Sequence, residues 1–134
     1  LIVSRFRGGV KGLPLLRRAL SLGARFYYSL LYPGTGITDW TTGWRVYSYS
    51  FLRRYWEAYP ELFQSEGFTA QTEILLRALQ LNPRARVVEE GGVINYGRKR
   101  GRSKMRILRT AYEYLNLGLK VRFGQPQRSK GWAR

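Results

Sequence analysis

Proline and glycine breakers divide this chain into segments of helix and strand length, and no other feature limits its fold as strongly. Pro14 stands where proline suits the first turn of a helix, and the Pro-Gly-Thr-Gly run at 33–36 ends the helical spacing that follows it. Pro60 closes a short periodic segment, and Asn82-Pro83 closes a longer one. The helices that these breakers predict are 14–32, 51–59 and 69–81.

The remaining segments are short and typical of strands. Residues 1–4 have the pattern of the end of a buried strand, and further strands are predicted at 44–47, 86–88 and 93–95. A last helix is expected after Ser103, which would be its N-cap. Its apolar face would comprise Met105, Leu108, Tyr112, Leu115 and Leu119. The mixture predicts an α/β fold with several helices and few strands.

The charge balance indicates an anionic partner. Lys and Arg total 24, Asp and Glu total 8, and the formal net charge is +16. Nucleic acid, a membrane surface and phosphorylated small molecules are the partners that such a charge favours. Aromatic residues reach 15%, which excludes a disordered basic tail. The sequence has no apolar run near the roughly 20 residues that span a bilayer.

The missing residue types exclude several kinds of chemistry. The chain has no Cys and no His, so thiolate metal sites, cysteine nucleophiles and imidazole acid–base catalysis are excluded. Asp39 is the only aspartate, and any metal site that needs two aspartates would lie outside these residues. Since the chain starts with an apolar segment and not with Met, we expect it to be truncated at its N-terminus. Arg5 and Arg7 interrupt that segment, so it is not a secretory signal.

Two motifs combine residue types suited to binding. The stretch 98–104 reads Arg-Lys-Arg-Gly-Arg-Ser-Lys and precedes a helix, where backbone N–H groups and cations would hold a phosphate. By composition alone, a solvated basic loop or a nucleic-acid-binding patch is favoured there. The stretch 39–45 reads Asp-Trp-Thr-Thr-Gly-Trp-Arg, and its two tryptophans could line a sugar or ring-binding surface, or simply pack around an Asx-type turn.

Two more motifs are weaker when taken alone. Arg17, Ser21 and Arg25 lie one turn apart on the first long helix, which could rest at a membrane interface with its arginines toward anionic headgroups. Solvated surface arginines are the plainer interpretation of that helix by itself. The stretch 66–73 places Gln71 and Glu73 at the start of a helix, where an acidic group also suits the helix dipole.

Taken in order, these segments resemble one family. The resemblance is carried by Ser4-Arg5-Phe6 with Gly8-Gly9, Arg17 with Ser21, Asp39 to Arg45, Ser65 to Glu73, and Arg98 to Lys104. They are similar to the C-terminal half of family 2 glycosyltransferases, in the dolichol-phosphate mannosyltransferase (polyprenyl-phosphate glycosyltransferase) branch. The resemblance extends over 1–119. Two departures are that Gly91-Gly92 follow Glu90 where the family usually has a proline, and that the half with the D-x-D metal site is absent.

The resemblance implies a fold and an activity. Residues 1–123 would be the acceptor-side half of an A-type glycosyltransferase fold, with the Rossmann-like nucleotide-binding half missing and 124–134 as a polar basic tail. Members transfer a sugar, here expected to be mannose, from a nucleotide sugar such as GDP-mannose to a polyprenyl (dolichyl) phosphate with inversion. The resemblance also implies a divalent metal (Mg or Mn) held by the missing half, and a cytoplasmic protein bound peripherally to anionic membranes. The fragment alone would be inactive.

The same resemblance implies roles for individual residues. Asp39 would lie next to the reacting sugar, as an orienting residue or as a base. The residues expected at the phosphate of the acceptor are Arg5, Arg17, Ser21, Arg98, Ser103 and Lys104. Those expected to position the sugar or the acceptor are Arg45, Gln71 and Glu73. A phosphate monoester has a second pKa near 6, so it is already a charged nucleophile at neutral pH, and this suits a chain without His.

The alternative is a basic nucleic-acid-binding module of winged-helix type. The predicted helix 69–81 followed by 87–94 would give a helix and a β-hairpin wing, with 97–102 as its tip. The pI of about 10.9 fits such a domain. A non-catalytic interaction subunit is a third interpretation. The ordered motifs favour the glycosyltransferase and make nucleic acid the less favoured partner.

Overall fold

The computed structural model describes residues 1–61, 64–95 and 107–124, which form a mixed α/β structure. The helices are α1 (Arg5–Gly8), α2 (Leu15–Leu31), α3 (Tyr49–Ala58), α4 (Ala70–Leu81) and α5 (Ile107–Phe123), with a 3₁₀ turn at Gly67–Thr69 before α4. The strands are β1 (Ile2–Ser4), β2 (Val10–Lys11), β3 (Glu89–Gly91) and β4 (Ile94–Asn95).

The strands form two parallel pairs. β1 pairs with β3, with Ile2 opposite Glu89 and Ser4 opposite Gly91, and β2 pairs with β4. On the other edge of β1, a single antiparallel bridge joins Ile2 to Arg45. Because β3 and β4 pair with different strands, residues 87–94 do not form a β-hairpin. The prediction of a β-hairpin wing, which the nucleic-acid alternative requires, is therefore wrong.

The core lies between the helices α2, α4 and α5 and the loop that contains Trp40. Its buried apolar residues are Ile2, Tyr28, Ile37, Trp40, Leu75, Leu76, Leu79, Leu117 and Val121. Trp40 stacks on Tyr28 with ring centroids 5.4 Å apart. The hydroxyl of Tyr28 donates to the carbonyl of Tyr114 at 2.6 Å, and the hydroxyl of Tyr27 donates to that of Leu115 at 2.6 Å, so hydrogen bonds as well as packing hold α2 on α5.

The predicted elements and the observed ones agree for the helices and differ for the strands. The helices predicted at 14–32, 51–59 and 69–81 are confirmed as α2, α3 and α4, and residues 2–4 form the expected strand. The strand predicted at 44–47 is reduced to an antiparallel bridge at Arg45, with backbone hydrogen bonds from Val3 to Trp44 and from Val46 to Leu1. The one predicted at 86–88 lies at 89–91, and α1 and β2 were not predicted.

Glycines lie where α1 contacts the displaced strand. An ideal Cβ on Gly91 would lie 3.0 Å from the carbonyl oxygen of Arg7, and one on Gly8 would lie 2.3 Å from the backbone nitrogen of Gly92. The backbone of α1 therefore approaches β3 at a distance that only glycine permits. This close approach accompanies the pairing of 89–91 with β1, and the carbonyl of Val88 also accepts from the backbone N–H of Ile2 at 2.8 Å.

The two long helices leave apolar side chains exposed. On α2 these are Leu15, Leu16, Leu22, Phe26 and Leu30, and on α5 they are Leu108, Tyr112, Leu115, Leu119 and Phe123. Four of the α5 residues belong to the apolar face predicted for the last helix, while the face that packs on the core contains Thr110, Leu117, Gly118 and Val121. Among the residues described, no helix has the length and hydrophobicity to cross a membrane.

Candidate functional site

A buried ion pair joins the start of α1 to the loop at 37–42. Ser4 is the last residue of β1 and Arg5 is the first residue of α1. The side chain of Arg5 contacts Asp39 in that loop. The carboxylate of Asp39 accepts hydrogen bonds from the backbone N–H of Arg5 at 2.9 Å, from its Nε at 2.8 Å and from its Nη2 at 2.6 Å. It also accepts from the backbone N–H of Thr42 at 3.1 Å. Arg5 Nη2 donates in addition to the hydroxyl of Thr41 at 2.6 Å.

The charge of this pair is stable at neutral pH. Burial by itself raises the pKa of Asp39, but the hydrogen bonds and the charge of Arg5 outweigh it and lower the pKa below its ordinary value of 3.8. The side chain of Asp39 is fully buried, and that of Arg5 is 12% exposed. Asp39 is therefore an ionised carboxylate whose oxygens are already bonded to partners in its own chain.

A second buried carboxylate, which the sequence analysis did not select, supports the same loop. Glu89 on β3 accepts from the backbone N–H groups of Thr38 at 2.8 Å and Asp39 at 2.9 Å, and from the hydroxyl of Thr38 at 2.5 Å. Arg7 lies 3.4 Å from it on the solvent side. The pair Glu89-Glu90 beside two glycines was the only signal for it, and nothing in the sequence shows which glutamate is buried.

A groove of about 540 Å³ runs between α2 and α5 and reaches the Asp39 loop. On α2 it is lined by Arg17, Ala19, Leu20, Ser21, Gly23, Ala24, Tyr27 and Tyr28. On α5 it is lined by Ile107, Thr110, Ala111, Tyr114 and Leu115. Arg5 and the residues 41–44 line it from the loop side, and Leu13 and Phe68 complete it. Among the described residues, the lining of the groove is mostly apolar and includes two arginines.

Three predicted phosphate-binding residues meet at this groove. Arg17 and Ser21 lie one turn apart on α2 and both line it, and Arg5 reaches it from α1. Asp39 does not line the groove, but it holds Arg5 there. Arg98, Ser103 and Lys104 lie outside the residues that the structure describes.

The three predicted positioning residues separate into two groups. Arg45 donates from Nη2 to the carbonyl of Trp40 at 2.6 Å and from Nη1 to the carbonyl of Gln71, so it ties the Asp39 loop to the start of α4. Glu73 does not line the groove. Its carboxylate accepts from the backbone N–H groups of Gln64 at 3.0 Å and Ser65 at 2.6 Å and pairs with Arg77 at 2.5 Å.

The two tryptophans of the motif 39–45 have different environments. Trp40 is 1% exposed and belongs to the core, so the sequence hypothesis that both tryptophans line a sugar site is wrong for Trp40. Trp44 is 68% exposed and lines the groove, as does Phe68, which is 62% exposed. Trp44 is thus the tryptophan of the pair that can contact a ligand.

The described part of the chain does not form a metal site. Among 1–61, 64–95 and 107–124, no three acidic side chains lie close enough together to hold an ion. The buried carboxylates of Asp39 and Glu89 are engaged by backbone N–H groups and arginines. The divalent metal that the resemblance implies would be held by the missing half, and not by these residues.

Comparisons of this chain with protein-family models, with curated proteins and with solved structures give no match.

Proposed function

We propose that this chain is the acceptor-binding part of a glycosyltransferase that moves a sugar from a nucleotide sugar to a polyprenyl phosphate. The observation that carries the proposal is the groove between α2 and α5, in which Arg17 and Ser21 lie among apolar side chains. A lipid phosphate has the same two parts, an anionic headgroup and a hydrocarbon chain. Arginine forks bind phosphate through charge-assisted hydrogen bonds, and the apolar walls suit the chain.

The proposed reaction depends on cationic groups that position the phosphates, and it does not require a strong general base. A phosphate oxygen of the acceptor attacks the anomeric carbon of the sugar, and the bond from that carbon to the nucleoside diphosphate breaks as the new bond forms. Because the acceptor is already ionised, Arg17 and Ser21 would hold it in line for attack. Asp39, whose oxygens are all engaged, would act by orienting Arg5 and the loop 41–44 toward the groove.

The exposed faces of α2 and α5 support a second part of the proposal, binding to the surface of an anionic membrane. Phe26 is 75% exposed and Leu30 72%, and Arg18 and Arg25 flank them on α2. Such a helix buries its apolar side chains at the headgroup level while its arginines meet anionic lipids. The enzyme would then meet a lipid acceptor where the acceptor is anchored.

Arg17→Ala is expected to lower kcat/KM for the polyprenyl phosphate about 10- to 150-fold in the complete protein. The substitution removes a charge-assisted hydrogen bond of about 1.5–3 kcal/mol. The assay follows label from GDP-mannose or UDP-glucose into the lipid phase, with Mg²⁺ or Mn²⁺ present. Arg84→Ala, which removes the same side chain from an exposed position outside the groove, is the matched control. Absence of transfer from any common donor by the wild type would overturn the proposed function, and equal effects of the two substitutions would overturn the role of Arg17.

Phe26→Ser with Leu30→Ser is expected to weaken binding to anionic vesicles at least tenfold, since each buried apolar side chain contributes about 1.5–3 kcal/mol. Flotation with phosphatidylserine-containing liposomes measures it, and Trp56→Ser on α3, 56% exposed, is the control. The flotation is repeated with excess duplex DNA. Tight DNA binding, with a Kd of about 10⁻⁸ M or below, together with no vesicle association would contradict the proposed membrane binding and favour the nucleic-acid-binding alternative.

A further inference from the structure

The helices α2 and α5 each contain one glycine in their interior, and the two glycines have different surroundings. An ideal Cβ on Gly118 would lie 2.7 Å from Cε1 and 2.9 Å from the hydroxyl oxygen of Tyr27, so the contact between the helices requires a glycine there. At Gly23 an ideal Cβ would meet no atom of the described residues within 4 Å. Gly23 is also not among the glycines with positive φ. Within the described part of the chain, neither packing nor backbone conformation explains this glycine.

A glycine in this position is unfavourable for the fold taken alone. Glycine inside a helix is less stable than alanine, because the unfolded chain loses more freedom when it folds. Gly23 lies in the middle of α2 (Leu15–Leu31), far from either end, so it is not a helix cap. The missing side chain does, however, leave space in the groove, which Gly23 lines together with Ala24 and Tyr27.

The position of Gly23 relative to Arg17 suggests what uses the space. Gly23 follows Arg17 by six positions, or about 9 Å along the axis at about 1.5 Å per residue. Ser21 lies between them, and helical side chains lean toward the N-terminus, so a phosphate held by Arg17 and Ser21 lies on the N-terminal side of Gly23 and its hydrocarbon chain passes Gly23. Ala111 and Leu115 of α5 offer an apolar wall in the same groove. An isoprenoid chain carries methyl branches, which need more width than a straight chain.

We propose that Gly23 is a specificity-determining residue that keeps the groove wide enough for the isoprenoid chain of the acceptor. The inference rests on the proposed function, because it takes the occupant of the groove to be a polyprenyl phosphate. What it adds is that the width of the hydrocarbon chain is selected at Gly23, on the C-terminal side of Arg17 along α2.

The test measures binding to the complete protein in detergent micelles. The probes are a long polyprenyl phosphate, a one-unit isoprenyl phosphate and inorganic phosphate. Gly23→Leu is expected to weaken the long ligand at least tenfold and to leave the one-unit ligand within twofold of wild type. Ser29→Leu introduces the same leucine side chain on an exposed part of the same helix that does not line the groove, and it should alter neither ligand.

Gly23→Ala provides a readout that a purely structural role would not give. It should raise Tm by about 4 °C, from the size of a helix-propensity gain in a domain of this length, and still weaken the long ligand. Equal binding of the long ligand by wild type and Gly23→Leu would overturn the inference and leave the proposed function intact. Equal loss of both isoprenyl ligands would also overturn it, since it would place Gly23 at the phosphate. A wild type that binds no isoprenyl phosphate of any length would overturn the proposed function and this inference with it.

Discussion

Replacing Asp39 with asparagine is expected to lower the free energy of unfolding by about 3–5 kcal/mol, the range for removing one partner of a buried ion pair. The substitution leaves the guanidinium of Arg5, 12% exposed, without its counter-charge. The new amide can also point a donor at the backbone N–H of Arg5 or Thr42, where the carboxylate now accepts hydrogen bonds. Urea unfolding followed by circular dichroism measures the change.

Glu57→Gln is the matched control for Asp39→Asn. Glu57 pairs with Arg53 at 3.3 Å on α3, and its side chain is 63% exposed. Exposed pairs of this kind contribute about 0–1 kcal/mol. If the two substitutions destabilise the protein equally, the Asp39–Arg5 pair does not have the structural role assigned to it here.

The same pair predicts how the stability responds to acid. The folded-state pKa of Asp39 is lower than its ordinary value of 3.8, so the unfolded chain binds a proton more readily than the folded one. The contribution of Asp39 to stability is therefore complete above about pH 5 and is lost as the pH falls through the folded-state pKa. Asp39→Asn should show a smaller loss of stability in acid than the wild type, and parallel pH profiles would contradict this account.

Trp40→Ala is expected to destabilise the protein by about 3–5 kcal/mol, as large-to-small substitutions of buried aromatic residues do. Trp40 is 1% exposed and contacts Tyr28 and Tyr32 through its ring, with centroids 5.4 Å and 5.8 Å away. Its carbonyl also accepts from Arg45 and, at 2.8 Å, from Thr72, and a collapsing cavity would disturb both. Thermal and urea unfolding measure the loss.

Trp44→Ala is the internal control, since it removes the same side chain four residues away from a site that is 68% exposed. It should change the free energy of unfolding by less than about 1 kcal/mol, in the range of surface substitutions. It should instead affect binding in the groove that Trp44 lines. A larger loss of stability from Trp44→Ala than from Trp40→Ala would contradict the division between a core tryptophan and a groove tryptophan.

The helices were predictable because each has a local cause. Pro14 stands at the N-cap of α2, Ser48 accepts a hydrogen bond from the backbone N–H of Phe51 at the start of α3, and Asn82-Pro83 follows the last residue of α4. These signals act within one turn of the chain, so the sequence contains them in full. The strands are two or three residues long and depend on partners far along the chain, so their positions were predicted less well.

The site was predictable in its residue types and less so in its geometry. Arg17 and Ser21 were expected on one helix face, and the structure brings them to one groove with Arg5. Glu89 was not selected, because its role comes from three hydrogen bonds to 38–39, fifty residues away in sequence. Glu73 was assigned by its motif, yet its carboxylate holds the turn at 64–65 instead of facing the groove.

By itself the sequence determined the positions of α2, α3 and α4 to within two residues, the basic character of the chain and the exclusion of thiol and imidazole chemistry, because each depends on local spacing or on composition alone. Only the tertiary structure decided which side of each helix faces inward. On α2, Tyr28 lies in the core and Arg17 and Ser21 line the groove. Phe26 and Leu30 lie on the remaining side of the helix and are exposed to solvent. The physical reason is that an amphipathic pattern records two faces of a helix but not what packs against each. The inward-facing side of α2 is fixed by the hydrogen bonds that the hydroxyls of Tyr27 and Tyr28 donate to carbonyls of α5. It is also fixed by Gly118 of α5, whose missing side chain lets the two helices approach each other.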